Sequence, residues 1–206
     1  MTPRPFSRRS FLKGAGGLAA GGAIGDAARA TVANERAPGA ALRVSGEVEV
    51  ELSINGAAQT LKVEPRTTLL GVLRHKLEPA LTGSKLVCDQ GACGACTVLI
   101  DGRPRYACMT LALDAAGKEI RTIEGLAPAG ELSAVQQAFW EEDALMCGFC
   151  TPGFVVSVTA CLEKNPAATE EDVRWACSGN LCRCGTYPHI FAAAAKAGRR
   201  LRGEER

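Results

Sequence analysis

From residue 47 onward the chain alternates, with Val48, Val50, Leu52 and Ile54 apolar and Glu49, Glu51 and Ser53 polar. A period of two puts one set of side chains on each face of a pleated ribbon, so 48–54 reads as a half-buried strand. Asn55-Gly56 is a tight-turn pair, and 59–63 is the returning strand of a hairpin. Over 68–77 the period lengthens. Leu69, Leu70, Leu73 and Leu77 fall at helical spacing, which predicts a short amphipathic helix laid across the sheet. A second hairpin is expected from 97–100 with Asp101-Gly102 as its turn, and 119–123 can add another strand.

After a linker at 125–130 that contains Pro128, the pattern turns helical over 132–142, 152–163, 169–176 and 187–201. Pro152 suits a first helical turn, and Thr169 with Asp172 three residues on resembles a capping arrangement. Four helices with short connections suggest a compact bundle. Residues 31–46 lack periodicity and contain Pro38, Gly39 and Gly46, a flexible lead-in.

The candidate chemistry is sulphur. Eight of ten cysteines form two groups, Cys88, Cys93, Cys96 and Cys108, then Cys147, Cys150, Cys182 and Cys184. In the first, gaps of four, two and eleven residues and the stretch Cys88-Asp-Gln-Gly-Ala-Cys93-Gly-Ala-Cys96 give the plant-type [2Fe–2S] ligand spacing. Two irons need four thiolates converging from several directions. Gly91 and Gly94 allow the backbone to fold that tightly and bring peptide N–H groups close to sulphur, where they tune the reduction potential. In the second group, Cys147-Gly-Phe-Cys150 and Cys182-Arg-Cys184 are short clips thirty-one residues apart, with Cys150 and Cys184 just before predicted helices. A helix N-terminus favours the thiolate form. Such a set also suits zinc, and a disulfide framework is the alternative for an exported, cysteine-bearing chain. The plant-type loop favours clusters for both groups, and the loop glycines have no role in a disulfide scaffold.

The formal charge of +2 comes from the N-terminus. Residues 1–30 hold Arg4, Arg8, Arg9, Lys13 and Arg29 against Asp26, so removing five of 24 basic and one of 22 acidic residues leaves a net of about −2. That balance offers no electrostatic footprint for nucleic acid. The basic run over 196–206 reads as a solvated helix end. Ser7-Arg8-Arg9-Ser10-Phe11-Leu12-Lys13 followed by a Gly- and Ala-rich stretch reads as a twin-arginine export signal over 1–30, with cleavage expected after Ala30. The stretch is too short and glycine-rich for a membrane span, so none is expected in the mature, periplasmic chain. This route carries folded proteins, so clusters can be built before export.

The stretch from Cys88 to Cys96, Cys147-Gly-Phe-Cys150-Thr-Pro-Gly, and Ser178-Gly-Asn-Leu-Cys182-Arg-Cys184 together resemble the small iron–sulphur subunit of the xanthine oxidase family of molybdenum hydroxylases, over about residues 47 to 199. With the export signal, the chain is most similar to the iron–sulphur subunits of bacterial periplasmic aldehyde oxidoreductases. The expected architecture is α+β: an N-terminal β-grasp ferredoxin-like [2Fe–2S] domain over 47–125, then an all-α four-helix-bundle [2Fe–2S] domain over 126–206. The resemblance implies that Cys147, Cys150, Cys182 and Cys184 hold the cluster nearer the molybdopterin of a large partner subunit. The plant-type cluster on Cys88, Cys93, Cys96 and Cys108 then faces a subunit carrying FAD, or an external acceptor such as a cytochrome. Substrate, an aldehyde or an N-heterocycle, is oxidised on the partner, and this chain carries no catalytic residue of its own. A free-standing exported ferredoxin-like carrier is the alternative. In many relatives a glutamine precedes the Cys-Gly-x-Cys clip and touches the pterin; here Met146 stands there, which reads equally as an altered pterin contact or a buried core residue. Cys161 and Cys177 suit buried apolar positions, Cys177 being the lesser candidate for a replacement ligand. His75 and His189 lack catalytic partners, and Gln136, Phe139 and Trp140 read as packing or interface residues.

Overall fold

A computed structural model describes residues 45–128 and 130–205. The expected export signal and almost all of the lead-in lie outside the described residues. Two strands, β1 (Val48–Ile54) and β2 (Ala57–Val63), form an antiparallel hairpin in register from Val48 opposite Val63 to Ile54 opposite Ala57. Asn55 and Gly56 take φ of +52° and +80°, the left-handed pair that a two-residue hairpin turn demands. Because the turn uses only those two residues, β2 begins at Ala57, two residues ahead of the expected start.

A short helix, α1 (Leu69–His75), follows, with Thr68 as its N-cap. After the cysteine loop come β3 (Thr97–Ile100), β4 (Arg103–Tyr106) and β5 (Glu119–Arg121). The five strands lie in the order β2-β1-β5-β3-β4, with β5 parallel to β1 and antiparallel to β3. The last strand is shorter than expected because Ile123–Gly125 turns into a single 3₁₀ turn. Val50, Leu52, Ile54, Val63, Val98, Ile100 and Ile120 of the sheet share one core with Leu69, Leu70, Val72 and Leu73 of α1. Each such buried leucine contributes about 1.5–3 kcal/mol, which holds α1 against the sheet although seven residues are too few for a helix on their own.

The helices of the second half are α2 (Ala134–Glu141), α3 (Thr151–Lys164), α4 (Glu170–Ala176) and α5 (Tyr187–Leu201). They surround a second core that includes Phe139, Phe154, Leu162, Val173 and Ile190. The expected start of α2 at 132 is too early. Ser133 is its N-cap and closes a capping box with Gln136, which leaves Leu132 outside the helix. Thr169 and Asp172 close a second box at α4.

The halves are joined by polar contacts. Arg121 of β5 donates through Nη1 and Nη2 to the two carboxylate oxygens of Glu163 on α3, at 3.0 and 2.6 Å. Buried Asn180 donates through Nδ2 to the Gly94 carbonyl at 3.0 Å and accepts from Ser157 Oγ at 2.8 Å. Among the described residues no helix is long and apolar enough to cross a membrane.

Candidate metal centres

The first cysteine loop is held in a tight coil by its backbone. Asp89, Gly91 and Gly94 have φ of +52°, +72° and +69°, and Lys85 N–H donates to the Ala95 carbonyl at 3.1 Å to close the loop at its base. A Cβ at Gly94 would overlap the Gly179 carbonyl, so glycine is required there twice over, for its backbone angle and for its neighbour. Cys88 and Cys93 are half-buried, Cys96 and Cys108 buried, and the last arrives because Ala107 N–H bonds to the Cys96 carbonyl at 3.2 Å at the end of β4.

The coil turns peptide donors toward sulphur. The Cys88 thiol is lowered to about 6, first by the N–H of Gln90, then by its bond to the Cys93 thiol, with the N–H groups of Ala92 and Cys93 adding to it. Cys96 behaves oppositely: burial pushes it up to about 12, over the lowering effect of the Cys108 N–H. All four thiols of this group act on the Tyr106 phenol, which is raised by its own burial first and by their charges next. Tyr106 therefore lies within electrostatic reach of Cys88, Cys93, Cys96 and Cys108.

In the second group Cys150 is the N-cap of α3, half-buried, and its thiol bonds to that of Cys182, with Cys147 acting on it by charge. The expectation that a helix start would lower this thiol fails. Burial pushes Cys150 up to about 12, because loss of water outweighs a partial charge at the helix end. At Cys182 burial also works upward, yet the Thr186 hydroxyl, the Thr186 and Gly185 N–H groups and the Cys150 thiol together bring it down to about 7. Its Sγ stands 3.0 Å from Thr186 Oγ1, and its N–H donates to Tyr187 Oη at 2.9 Å. Cys147 and Cys184 are exposed. Thiols meet in the pairs Cys88–Cys93, Cys96–Cys108 and Cys150–Cys182; among the described residues no group of three His, Cys, Asp or Glu side chains is set to hold a single metal ion. All ten cysteines are free of disulfides.

The two groups are tied to each other. Leu181 N–H donates to the Cys93 carbonyl at 2.9 Å, which sets the residue beside Cys182 against the first loop, and Tyr106 Oη donates to the Gly179 carbonyl at 3.0 Å. Tyr106, Asn180, Thr186 and Tyr187 were not singled out from the sequence; of these, only Asn180, in Ser178-Gly-Asn-Leu-Cys182, sat inside a recognised motif.

Exposed large apolar side chains collect at the cysteines. Leu86 and Val87 precede Cys88, Met109 follows Cys108, Met146 precedes Cys147, Phe149 precedes Cys150 and Leu181 precedes Cys182. Met146 is 67% exposed, so the buried-core reading of that residue is overturned. Lys85 lies over the Phe149 ring at 5.9 Å, linking the two apolar rims. Beside them Ile123, Leu132, Trp140, Leu145, Pro152 and Val155 line a groove of about 370 Å³ in which Trp140 is 69% exposed while Phe139 is buried. Cys177 is buried and Cys161 half-buried in the second core, as their apolar character suggests. His189 Nδ1 sits 2.9 Å from the Glu142 carbonyl.

The donor chemistry fits iron–sulphur clusters: soft thiolates in two sets, peptide N–H groups aimed at sulphur and glycines that let the backbone close in. Comparison with known proteins agrees. A family model described as a 2Fe-2S iron-sulfur cluster binding domain matches residues 54–138, one described as a [2Fe-2S] binding domain matches 122–195, and the twin-arginine translocation pathway signal sequence matches 5–25. The chain is 48% identical over 153 residues to the nicotine 6-hydroxylase small subunit of Paenarthrobacter nicotinovorans, covering 74% of this chain and 91% of that one. It is 44% identical over 161 residues to the aldehyde oxidoreductase iron-sulfur-binding subunit of Escherichia coli (strain K12), covering 71% and 69%. A chain in the crystal structure of quinoline 2-oxidoreductase from Pseudomonas putida 86 superposes with a TM-score of 0.71 at 44% identity, over 78% of this chain and 99% of that one.

Proposed function

The chain belongs to the iron–sulphur small-subunit family of the molybdenum hydroxylases, the xanthine oxidase family, and on that premise we propose that it relays single electrons from the molybdenum centre of a large partner subunit to a flavin subunit or an external acceptor. When bound, each [2Fe–2S] cluster supplies a one-electron carrier. Cys88, Cys93, Cys96 and Cys108 hold one, within an N-terminal β-grasp domain over 47–125. Cys147, Cys150, Cys182 and Cys184 hold the other, within a four-helix bundle over 126–206. Substrates of the aldehyde or N-heterocycle class are oxidised on the partner, in keeping with the aldehyde, nicotine and quinoline named for the relatives.

The observation that carries this reading is the coincidence of the exposed apolar residues with the cysteines. A free-standing carrier gains nothing from Met146, Phe149, Leu181 and Trp140 in water, whereas a permanently docked subunit buries them. In this reading the helical half, with this face and the adjoining groove, meets the molybdopterin-bearing subunit, and the first loop, with its rim of Leu86, Val87 and Met109, faces the acceptor, a subunit carrying FAD or a cytochrome; the exposed apolar side chains at both groups support docking. Within the chain, the residues exclude water at Cys96, Cys108 and Cys182 and supply donors to sulphur. The twin-arginine signal directs the folded subunit to the periplasm, with cleavage after Ala30.

The test is purification with native partners. Four irons and four labile sulphides per chain are expected, two of each for every [2Fe–2S] cluster, together with a co-purifying large subunit. Cys93→Ser should remove one of two EPR signals from the reduced protein. A colourless, zinc-bearing helical half, or a chain that elutes alone at full cluster content, overturns the proposal.

A further inference from the structure

Four of the described α-helices start from a serine or threonine: Thr68 at α1, Ser133 at α2, Thr169 at α4 and Thr186 at α5. In three of them the side-chain oxygen does what such residues ordinarily do and accepts a backbone N–H of the first turn, from Gly71, Gln136 and Asp172, each at 3.2 Å. Thr186 departs from this. Its carbonyl accepts the first helical bond from Ile190 N–H at 3.0 Å, but its hydroxyl caps nothing. That hydroxyl is 3.0 Å from Cys182 Sγ, with Thr186 4% and Cys182 9% exposed, so water does not compete for the contact. The side chain has given up a helix cap for a sulphur.

A thiolate that ligates iron has no proton to donate, so the hydroxyl must be the donor. A reduced cluster carries one more negative charge than an oxidised one, and a hydrogen bond to a ligand sulphur favours the more negative form. We infer that Thr186 sets the reduction potential of the helical-half cluster, raising it by donating its hydroxyl to Cys182. This rests on the reading that Cys182 is an iron ligand. Among the described residues no hydroxyl acts in this way on Cys88 or Cys96: apart from the thiols of their own group, their donors are peptide N–H groups. The inference therefore assigns the two clusters separately adjustable potentials.

The experiment is a redox titration followed by EPR on the complex carrying Thr186→Val, Thr186→Ala or Thr186→Ser, with iron counted in each and the plant-type signal identified by its loss in Cys93→Ser. The valine and alanine variants should keep their iron and shift the helical-half midpoint to more negative values, on the order of a tenfold change in electron partition, which is about 59 mV for one electron. The serine variant should titrate near wild type, and the plant-type midpoint should stay fixed in all three. An unmoved helical-half midpoint in both hydroxyl-free variants overturns the inference, as does an equal shift of both clusters. Loss of the cluster from both would assign the hydroxyl to assembly alone and overturn it too. A wild-type complex with a single cluster signal would instead sink the two-cluster reading on which the inference stands.

Discussion

Gly71 and Gly153 are both the third residue of a helix, in α1 and α3, and the same substitution to alanine should act on them with opposite sign. In each, alanine improves helix propensity by up to about 1 kcal/mol. At Gly71 a new Cβ would meet Thr68 Oγ1 at 3.5 Å and Thr67 Cγ2 at 3.8 Å, ordinary contacts, so Gly71→Ala should stabilise by about 0.5–1 kcal/mol. At Gly153 the Cβ would overlap the Gly94 carbonyl oxygen and stand 3.0 Å from Asn180 Nδ2. That carbonyl cannot swing aside freely. It accepts from Thr97 N–H at 3.1 Å, Thr97 Oγ1 at 2.6 Å and Asn180 Nδ2 at 3.0 Å, so moving it strains three hydrogen bonds of roughly 1 kcal/mol each. A cost of about 3 kcal/mol against a gain of about 1 leaves Gly153→Ala destabilised by about 2 kcal/mol. For a chain of this length that is a fall of about 4–8 °C in the unfolding midpoint, followed by far-UV circular dichroism. Visible absorption should show the plant-type cluster lost first, since the displaced carbonyl lies between Cys93 and Cys96. A Gly153→Ala midpoint equal to or above wild type would refute the reasoning.

Two further outcomes follow from other parts of the chain. The Glu141 carboxyl is held down to about 2, first by the Gln137 amide and then by Arg200 and Lys196, so its contribution to folding is complete above its unfolded value of 4.5 and is lost as pH falls toward 2; Glu141→Gln should flatten the acid side of a stability-against-pH curve in that window, and an unchanged slope would count against it. Arg8→Lys with Arg9→Lys should retain the chain in the cytoplasm when fractions are blotted, because the twin-arginine signal is read by a receptor; normal export of the double variant would contradict the assignment.

What could be read from the sequence was what repeats locally. Alternation over Val48–Ile54 predicted β1, Asn55-Gly56 its turn, and the leucines of α1 their shared face. The short cysteine clips, Cys88 to Cys96, Cys147-Gly-Phe-Cys150 and Cys182-Arg-Cys184, stood out because their spacing is short-range along the chain. The contacts that bind one group to the other were not, since Asn180 and Gly94 are 86 residues apart and Tyr106 and Gly179 are 73 apart, distances over which no period carries information. Where a local rule met a tertiary one, the tertiary one prevailed: a helix start should have eased ionisation of Cys150, and burial against Cys182 made it harder.

Met146 and Thr186 mark the same boundary from opposite sides. One of the two equal readings of a methionine beside the cysteine clip is a core residue, and the ordinary reading of a threonine before a helix is a cap. Each is spent otherwise, the methionine 67% exposed at the rim and the threonine turned onto a sulphur. Natural chains keep local rules nearly everywhere, because violations cost stability, and the places where the rules yield are those where another requirement is stronger. Here both violations touch the second cysteine group, as do Phe149 and Leu181 in the solvent. Among the described residues the first group shows the rim but no such diverted cap. On the proposed reading, the side chains around the helical half are therefore where this subunit's partner and its potential would be set, while the donors to Cys88 are mostly built into the backbone.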